Sequence, residues 1–311
     1  MTDAYMTSSA LTEFHATLVA NSAILAATDY TNNAMAALCN DCTMDLMNAK
    51  ALDMPIIPAV DHATETEGTA LEYKQFSASK KTLTKNVQKG VVMAFYPNAI
   101  SMANQDVFSS YGAQIGADAG KILDGALTAL YSSAATSIDA GTGADIDEDD
   151  VLNAKEDLVD ANAPVDGRVL VVHQTQENAL KKISRFSEAQ MIGGSGNIAA
   201  GRFIGRIHGF EVYMDQNIVA TTDGYRHNLA FVKSSGNGAA FASRSTMAFA
   251  WGVLPAPTGG AITAQTGAGP RITFSYDAKI GSDVIDSRFV YGVVAHRPEW
   301  LVDIKTADTK N

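Results

Sequence analysis

The sequence predicts an α+β fold in which a helical arm and a projecting β-hairpin precede one long helix and a mixed strand and helix module. Three observations predict it. Apolar residues recur at the 3.6 period from Asn104 to Ala134, they alternate at period two from Lys81 to Phe95, and strand and helix signals alternate from Gly167 onward. The length of 311 residues allows about two domains, or one elaborated domain, at roughly 100–200 residues each.

Taken in order, Leu11, Phe14, Leu18, Val19 and Leu25 stand at helical spacing, and Met35, Leu38, Cys42 and Leu46 repeat the pattern. No neighbouring strand signal offers these stripes a surface, so the arm is expected to bury them across the body of its own or another subunit. From Met54 to Pro58 the prolines break the helical pattern, and Glu67-Gly68 signals a turn. On the alternating strand, one face of the first half mixes Lys81, Lys85 and Lys89 with Leu83 and Val87, which a core would not tolerate. The second half, with Val91, Met93 and Phe95, turns apolar and is expected to enter the core. In the long helix, Val107, Tyr111, Ile115, Ile122, Ala126 and Leu130 form the predicted buried stripe, leaving Asp118, Lys121 and Asp124 for the wet side.

Residues 137–144 read as a loop, and Asp147-Glu-Asp-Asp150 opens a helix carrying Val151, Leu158 and Val159, with its acids where the helix dipole favours them. A buried strand at 167–173, a helix at 175–189, a glycine-rich loop at 193–196, an extended run at 202–214, a strand at 228–233 and an Ala-rich helical stretch at 238–249 follow. Strands at 271–277 and 288–296 close the chain.

Composition excludes several functions. With 46% hydrophobic residues and a mean hydropathy of -0.01, the chain is neither disordered nor collagenous. Its 23 basic residues against 34 acidic ones give a net charge of -11, which repels phosphates and argues against a sequence-reading nucleic-acid binder. The charged fraction is 18%, against about 25% in ordinary soluble domains. Either neighbouring subunits cover a neutral surface, or the protein is simply Ala-rich. With no signal peptide, no long apolar run and no disulfide framework, the reading expects a soluble chain made in the cytoplasm and no membrane contact.

Charge is also segregated. Lys74, Lys80, Lys81, Lys85 and Lys89 cluster on the hairpin, whereas residues 139–160 hold Asp147, Asp149, Asp150 and six further acids against the one base Lys155. Such complementary clusters either join copies of the chain or remain solvated faces.

No motif supplies catalytic chemistry. Cys39 and Cys42 lack a second ligand pair for zinc and read as buried small residues. Asp145, Asp147, Asp149 and Glu156 match calcium-loop positions, but Asp150 stands where the loop needs glycine. The Gly194-Ser-Gly196 run has the wrong spacing for a phosphate loop, and Ser195 is not in a nucleophile elbow. The histidines at 15, 62, 173, 208, 227 and 296 are scattered. No cofactor, no metal and no enzymatic activity are expected.

The order of these elements resembles the major capsid proteins of tailed bacteriophages, with their Hong Kong 97-type capsid fold. The stretches from Asn162 to Val172, Gly201 to Val212 with Asp215-Gln-Asn217, and Tyr291 to Glu299 are similar to that family as well. The resemblance implies an N-terminal arm at 1–58, an extended β-hairpin loop at 59–90, a peripheral domain with its long spine helix at 91–134, an axial α/β domain at 135–265, and closing peripheral strands at 266–311. It further implies a subunit that associates with itself into hexamers and pentamers of an icosahedral shell, assembled in the host bacterial cytoplasm, with scaffolding, portal and decoration proteins as candidate partners. The shell encloses double-stranded DNA without reading its sequence. Lys74, Lys80, Lys81, Lys85 and Lys89 would meet Asp147, Asp149 and Asp150 of a neighbour. The lysine to asparagine crosslink of some members is not carried over, because its asparagine and glutamate find no match. An encapsulin-type compartment shares the expected fold, and a soluble α/β enzyme without recognisable motif is the alternative from another class.

Overall fold

Two six-stranded sheets share a core with one long helix in the computed structural model, which describes residues 23, 34–56, 79–96, 107–141, 144–182, 203–218, 220–221, 224–255, 262–264 and 269–307. The first half of the chain supplies α1 (Ala34–Leu38), β1 (Asn40–Asp41), β2 (Ala51–Ile56), β3 (Ser79–Thr84), β4 (Val87–Phe95), α2 (Val107–Thr128), β5 (Thr136–Asp139) and α3 (Glu148–Asp160). Then follow β6 (Arg168–His173), α4 (Gln174–Lys182), β7 (Phe203–Ile207), β8 (Phe210–Asp215), β9 (Tyr225–Val232), β10 (Met247–Trp251), β11 (Ile262–Ala264), β12 (Arg271–Asp277), β13 (Ser282–Ala295) and β14 (Leu301–Ala307).

The first sheet runs β1-β10-β13-β12-β11, with β4 paired along β13, and the second runs β5-β14-β9-β6-β8-β7. In β6 the apolar run Val169-Leu-Val-Val172 is buried on both faces, as expected of a central strand covered on each side. Leu170 and Val172 pack beneath Val151, Ala154 and Leu158 of α3. Val169 and Val171 face the other way, onto a core that joins Leu123 and Leu127 of α2 to Phe249, Trp251, Phe289 and Tyr291 of the first sheet. A smaller core of Cys42, Leu46, Met54, Leu83, Ala248 and Ala250 seats the hairpin β2-β3 on the first sheet.

The long helix forms over 22 residues, about 33 Å at 1.5 Å per residue, and a 3₁₀ turn at Ala129–Ser133 extends it. Its buried face is rotated from the predicted one. Ile115, Ala119, Leu123 and Leu127 are buried, whereas Tyr111 is exposed and Ile122, Ala126 and Leu130 are half-buried. On that face the helix backbone lies close to its neighbour at Gly116, where an added Cβ would lie 2.0 Å from the Ala23 carbonyl oxygen. Asp118 and Lys121 are exposed as expected. Asp124 is not, since it is fully buried at 0% exposure.

Other expectations are corrected as well. The helix of Met35 and Leu38 ends at Leu38, because Asn40 and Asp41 pair with Ala248 and Phe249. Cys42 and Leu46 are buried after it, outside the helix. Residues 137–139, read as a loop, belong with Thr136 to β5, which pairs in parallel with Val302–Lys305. The run 202–214 is a hairpin, turned at His208 and Gly209, both with positive φ, the conformation of a two-residue primed turn. The helical stretch at 238–249 is a 3₁₀ segment, Ala239–Arg244, followed by β10. β10 lies in the first sheet with β4 and β13, and β14 lies inside the second. The stripe of Leu11, Phe14, Leu18, Val19 and Leu25, the turn at Glu67-Gly68, Lys74, residues 183–189 and the glycine loop 193–196 lie outside the described residues.

Candidate assembly surfaces

The hairpin β2-β3 is anchored at its foot and polar beyond it. Met54 and Leu83 are fully buried, and around them Lys80, Lys81 and Thr82 are exposed. Asp53 accepts hydrogen bonds from the Lys80 ammonium and the Thr82 hydroxyl across the two strands. The bond from Lys80, more than that from Thr82, holds the Asp53 carboxyl below its usual range. Both partners are solvent-facing, so this pair fixes the local register and adds little stability.

Lys85 turns inward and donates to the Leu46 carbonyl, and its burial lowers its pKa. Behind it, an added Cβ on Gly292 would lie 2.1 Å from the Thr84 carbonyl oxygen, so glycine is what lets the hairpin foot press against β13. Among the predicted contact lysines, then, Lys85 is a foot residue and Lys80 has a partner within its own chain. Lys81 and Lys89 remain exposed.

The acidic cluster divides in the same way. Asp147 caps α3, accepting from the Asp150 backbone N–H at 2.9 Å, while the Asp150 carboxylate accepts from the Asp147 N–H at 3.1 Å. This reciprocal box satisfies two of the helix's orphan donors. Asp150 is buried by it, and burial pushes its carboxyl up despite the Asp147 N–H. Asp149, Glu156 and Asp160 are exposed along the helix beside Leu152 and Val159, which are also exposed. Asp157 is raised by burial first and then by the charges of Asp160 and Glu156. The outer face of α3 therefore offers an apolar pair flanked by carboxylates.

Two further patches escaped the sequence reading. Val91 of β4 is exposed, although the alternation had suggested core, and its neighbour Val92 is exposed by 60%; of the expected Val91, Met93 and Phe95 only Phe95 is buried, against Tyr111 at 5.2 Å. At the β12-β13 turn, Tyr276 is 66% exposed and Ile280 also faces solvent. Their apolar character in the sequence is visible, but alternation says only that a strand forms, not what covers it.

Inside the second sheet the structure does assemble a polar chain. The His227 Nδ1 lies 2.9 Å from both oxygens of Asp303, its Nε2 lies 3.2 Å from the Thr221 hydroxyl, and its ring stacks on Tyr131 at 3.7 Å. Burial raises the Asp303 carboxyl, opposed by His227 and Ser137. Thr221 donates its hydroxyl proton to the Tyr225 carbonyl, so it is an acceptor toward His227 and not a freed nucleophile. The set reads as a clamp between β9, β14 and β5. Among the described residues there is no group of three or more His, Cys, Asp or Glu placed to hold a metal ion, and Cys39 and Cys42 are buried free thiols. No described helix is long and apolar enough to cross a membrane.

Comparison with known proteins now places this arrangement. Solved structures that share the fold include a chain of Mycobacterium phage Che8 at 18% identity and TM-score 0.62, covering 87% of this chain and 90% of that one. The capsid of Ralstonia phage GP4 matches at 14% identity and TM-score 0.61, over 88% of each chain. An encapsulin complex from Synechococcus elongatus matches at 11% identity and TM-score 0.56, over 89% of this chain and 88% of that one. No curated protein matches the sequence. The family model described as "Phage capsid protein" matches residues 98–304, from ahead of the long helix through both sheets and into β14. A match over more than half of the sequence, on a fold shared with phage coats, means that this chain belongs to the phage capsid protein family.

Proposed function

We propose that this chain is a major capsid protein with the Hong Kong 97-type fold, copies of which associate into the icosahedral shell of a bacteriophage. The family match over residues 98–304 carries the reading. The subunit associates with itself as hexamers and pentamers, and its role is structural, without enzymatic activity or cofactor. Its net charge of -11 suits a container that holds DNA without gripping it. Assembly takes place in the host cytoplasm, with scaffolding, portal and decoration proteins as further partners. The likeness to an encapsulin is one of fold at 11% identity, and the family match favours the phage coat.

Among the described charged residues, Lys81 and Lys89 are exposed cations on the hairpin side, and Asp149, Glu156 and Asp160 are exposed acids of α3. In the shell these groups of adjacent copies face one another. Complementary rims of this kind mainly speed encounter and fix register, while exposed apolar pairs such as Val91 and Val92 supply burial. Expression of the Lys81→Glu, Lys89→Glu double variant, followed by negative-stain microscopy, tests the pairing. Shell yield is expected to fall with the subunit still folded, and to recover when Asp149 and Glu156 are both changed to lysine. Shells at normal yield from the double variant would sink the pairing, and a wild-type chain that forms neither shells nor capsomers would sink the coat reading itself.

A further inference from the structure

The strongest unexplained feature lies where α1, α2 and the end of β8 converge. Asp124 of α2 is 0% exposed and Asp215 of β8 is 1% exposed. The Asp124 Oδ1 accepts from the backbone N–H groups of Met35 and Ala36, at 3.0 and 3.3 Å, so a side chain of the long helix caps the first turn of α1. Its Oδ2 accepts from the Asn217 side-chain amide at 3.0 Å, while the Asn217 backbone N–H donates to the Asp215 Oδ1 at 2.7 Å.

One oxygen is left over. Among the described residues the buried Asp215 Oδ2 meets no N–H or O–H donor, a costly state for a polar atom out of water. The carboxyl beside it is that of Asp124, and Asn217 ties the two together by donating to both. Two ionised carboxylates cannot bond each other, and they would repel strongly in a medium of low dielectric. A proton on Asp124, donated to Asp215, satisfies the leftover oxygen and removes one buried charge together. We propose that Asp124 and Asp215 share one proton and with it form a latch that holds α1, the long helix and the end of β8 in one joint, opening when that proton leaves.

The surroundings support this. Burial, and after it the hydrogen bond and charge of Asp215, push the Asp124 carboxyl from 3.8 up to about 9, against the donors Asn217 and Ala36. The other titratable group facing it is the Cys39 thiol that follows α1, itself raised by burial and then by Asp124. Among the described residues no lysine, arginine or histidine figures among the groups that shift Asp124. The sign follows by linkage. Between about pH 4 and 9 the native chain holds a proton that the unfolded chain has lost, so this pair's contribution is greatest in acid and declines as pH rises. Above about 9 the folded joint itself ionises, and its open form grows about tenfold per pH unit.

Asp215→Asn is the decisive variant. Its amide nitrogen would stand in the place of Oδ2 and give Asp124 a permanent N–H donor, keeping the latch shut without a titratable proton. Hydrogen exchange by mass spectrometry on the unassembled full chain, read on peptides covering residues 34–38, compares the two proteins at each pH so that intrinsic exchange cancels. Protection in the wild type is expected to fall about fivefold relative to Asp215→Asn between pH 9 and 10, where the pair passes through its folded pKa of about 9. A ratio constant from pH 7 to 10 overturns the proposal. Infrared spectroscopy of the wild type needs no variant: the carbonyl stretch of a buried protonated carboxylic acid is expected at pH 7 and lost above 9, and its absence at pH 7 is equally fatal. The latch lies within one copy, so failure of shells to form would leave it standing.

Discussion

Two glycines of the same helix should respond in opposite ways to the same substitution. In a helix interior, Gly→Ala stabilises by about 1 kcal/mol through backbone entropy and solvation. At Gly125 an added Cβ meets no atom of the described residues within 4 Å, and the residue borders a cavity of about 280 Å³ with Thr128, Tyr131 and Ile218. Gly125→Ala should therefore keep the whole gain, about 0.5–1 kcal/mol. At Gly116 the Cβ would stand 2.0, 2.7 and 2.9 Å from the carbonyl oxygen, carbon and Cα of Ala23. All three are backbone atoms, which no rotamer can move aside, and ordinary contact is about 3.5–4 Å. Overpacking at the upper end of the usual range costs about 3 kcal/mol, which leaves a net loss of about 2 once the helix gain is subtracted. At roughly 2.1 cal/mol/K per residue over 311 residues, each kcal/mol moves Tm by about 1.5 °C. Gly125→Ala should melt about 1 °C higher and Gly116→Ala about 3 °C lower, measured on unassembled subunit by calorimetry and by urea midpoints. Equal shifts of the same sign would refute the argument that the long helix lies against the Ala23 backbone.

Two further outcomes follow from single contacts. Asp147→Ala removes the cap of α3 and should cost about 1 kcal/mol of subunit stability, with Asp147→Ser recovering most of it; a loss of shell yield without loss of stability would instead assign Asp147 to a contact between copies. His296 is fully buried, both ring nitrogens lack partners among the described residues, and burial, then Arg297 and Lys81 against Glu299, lower it to about 4. Its folded pKa lies below the unfolded 6.5, so its contribution is present above 6.5 and drains away as pH falls toward 4. His296→Leu should flatten the decline in urea midpoint across that window, and an unchanged decline would show that other groups govern it.

What could be read from the residues was whatever a local period specifies. The long helix, the buried strand at Val169–Val172, the acid-capped α3 and the strands β12 and β13 each carry their own signal over many residues. The missed elements, β5, β10 and β14, owe their state to partners far along the chain: Thr136 pairs with Val302 and Met247 with Ala295. A window of a dozen residues holds no trace of such a partner. Asp124 was misplaced for a related reason. A carboxylate on a helix is assigned to water unless its donors are known, and those donors, Met35, Ala36 and Asn217, come from other elements. The charged residues were legible as two clusters. Their division into foot, cap and free groups was not, because Lys85 and Asp150 differ from Lys81 and Asp149 only in what folds against them.

The pairing order of the sheets also sets when a subunit can exist. β13 pairs with β4, β10 and β12, and β14 lies between β5 and β9. On a ribosome that releases the chain from its amino end, every one of those partners waits with an unpaired edge until residues 282–307 emerge. Non-local pairing of this kind is slow and cannot be done piecemeal. Neither sheet has an intermediate finished form, and a chain halted before β13 is a set of open edges for chaperones, proteases or aggregation to claim.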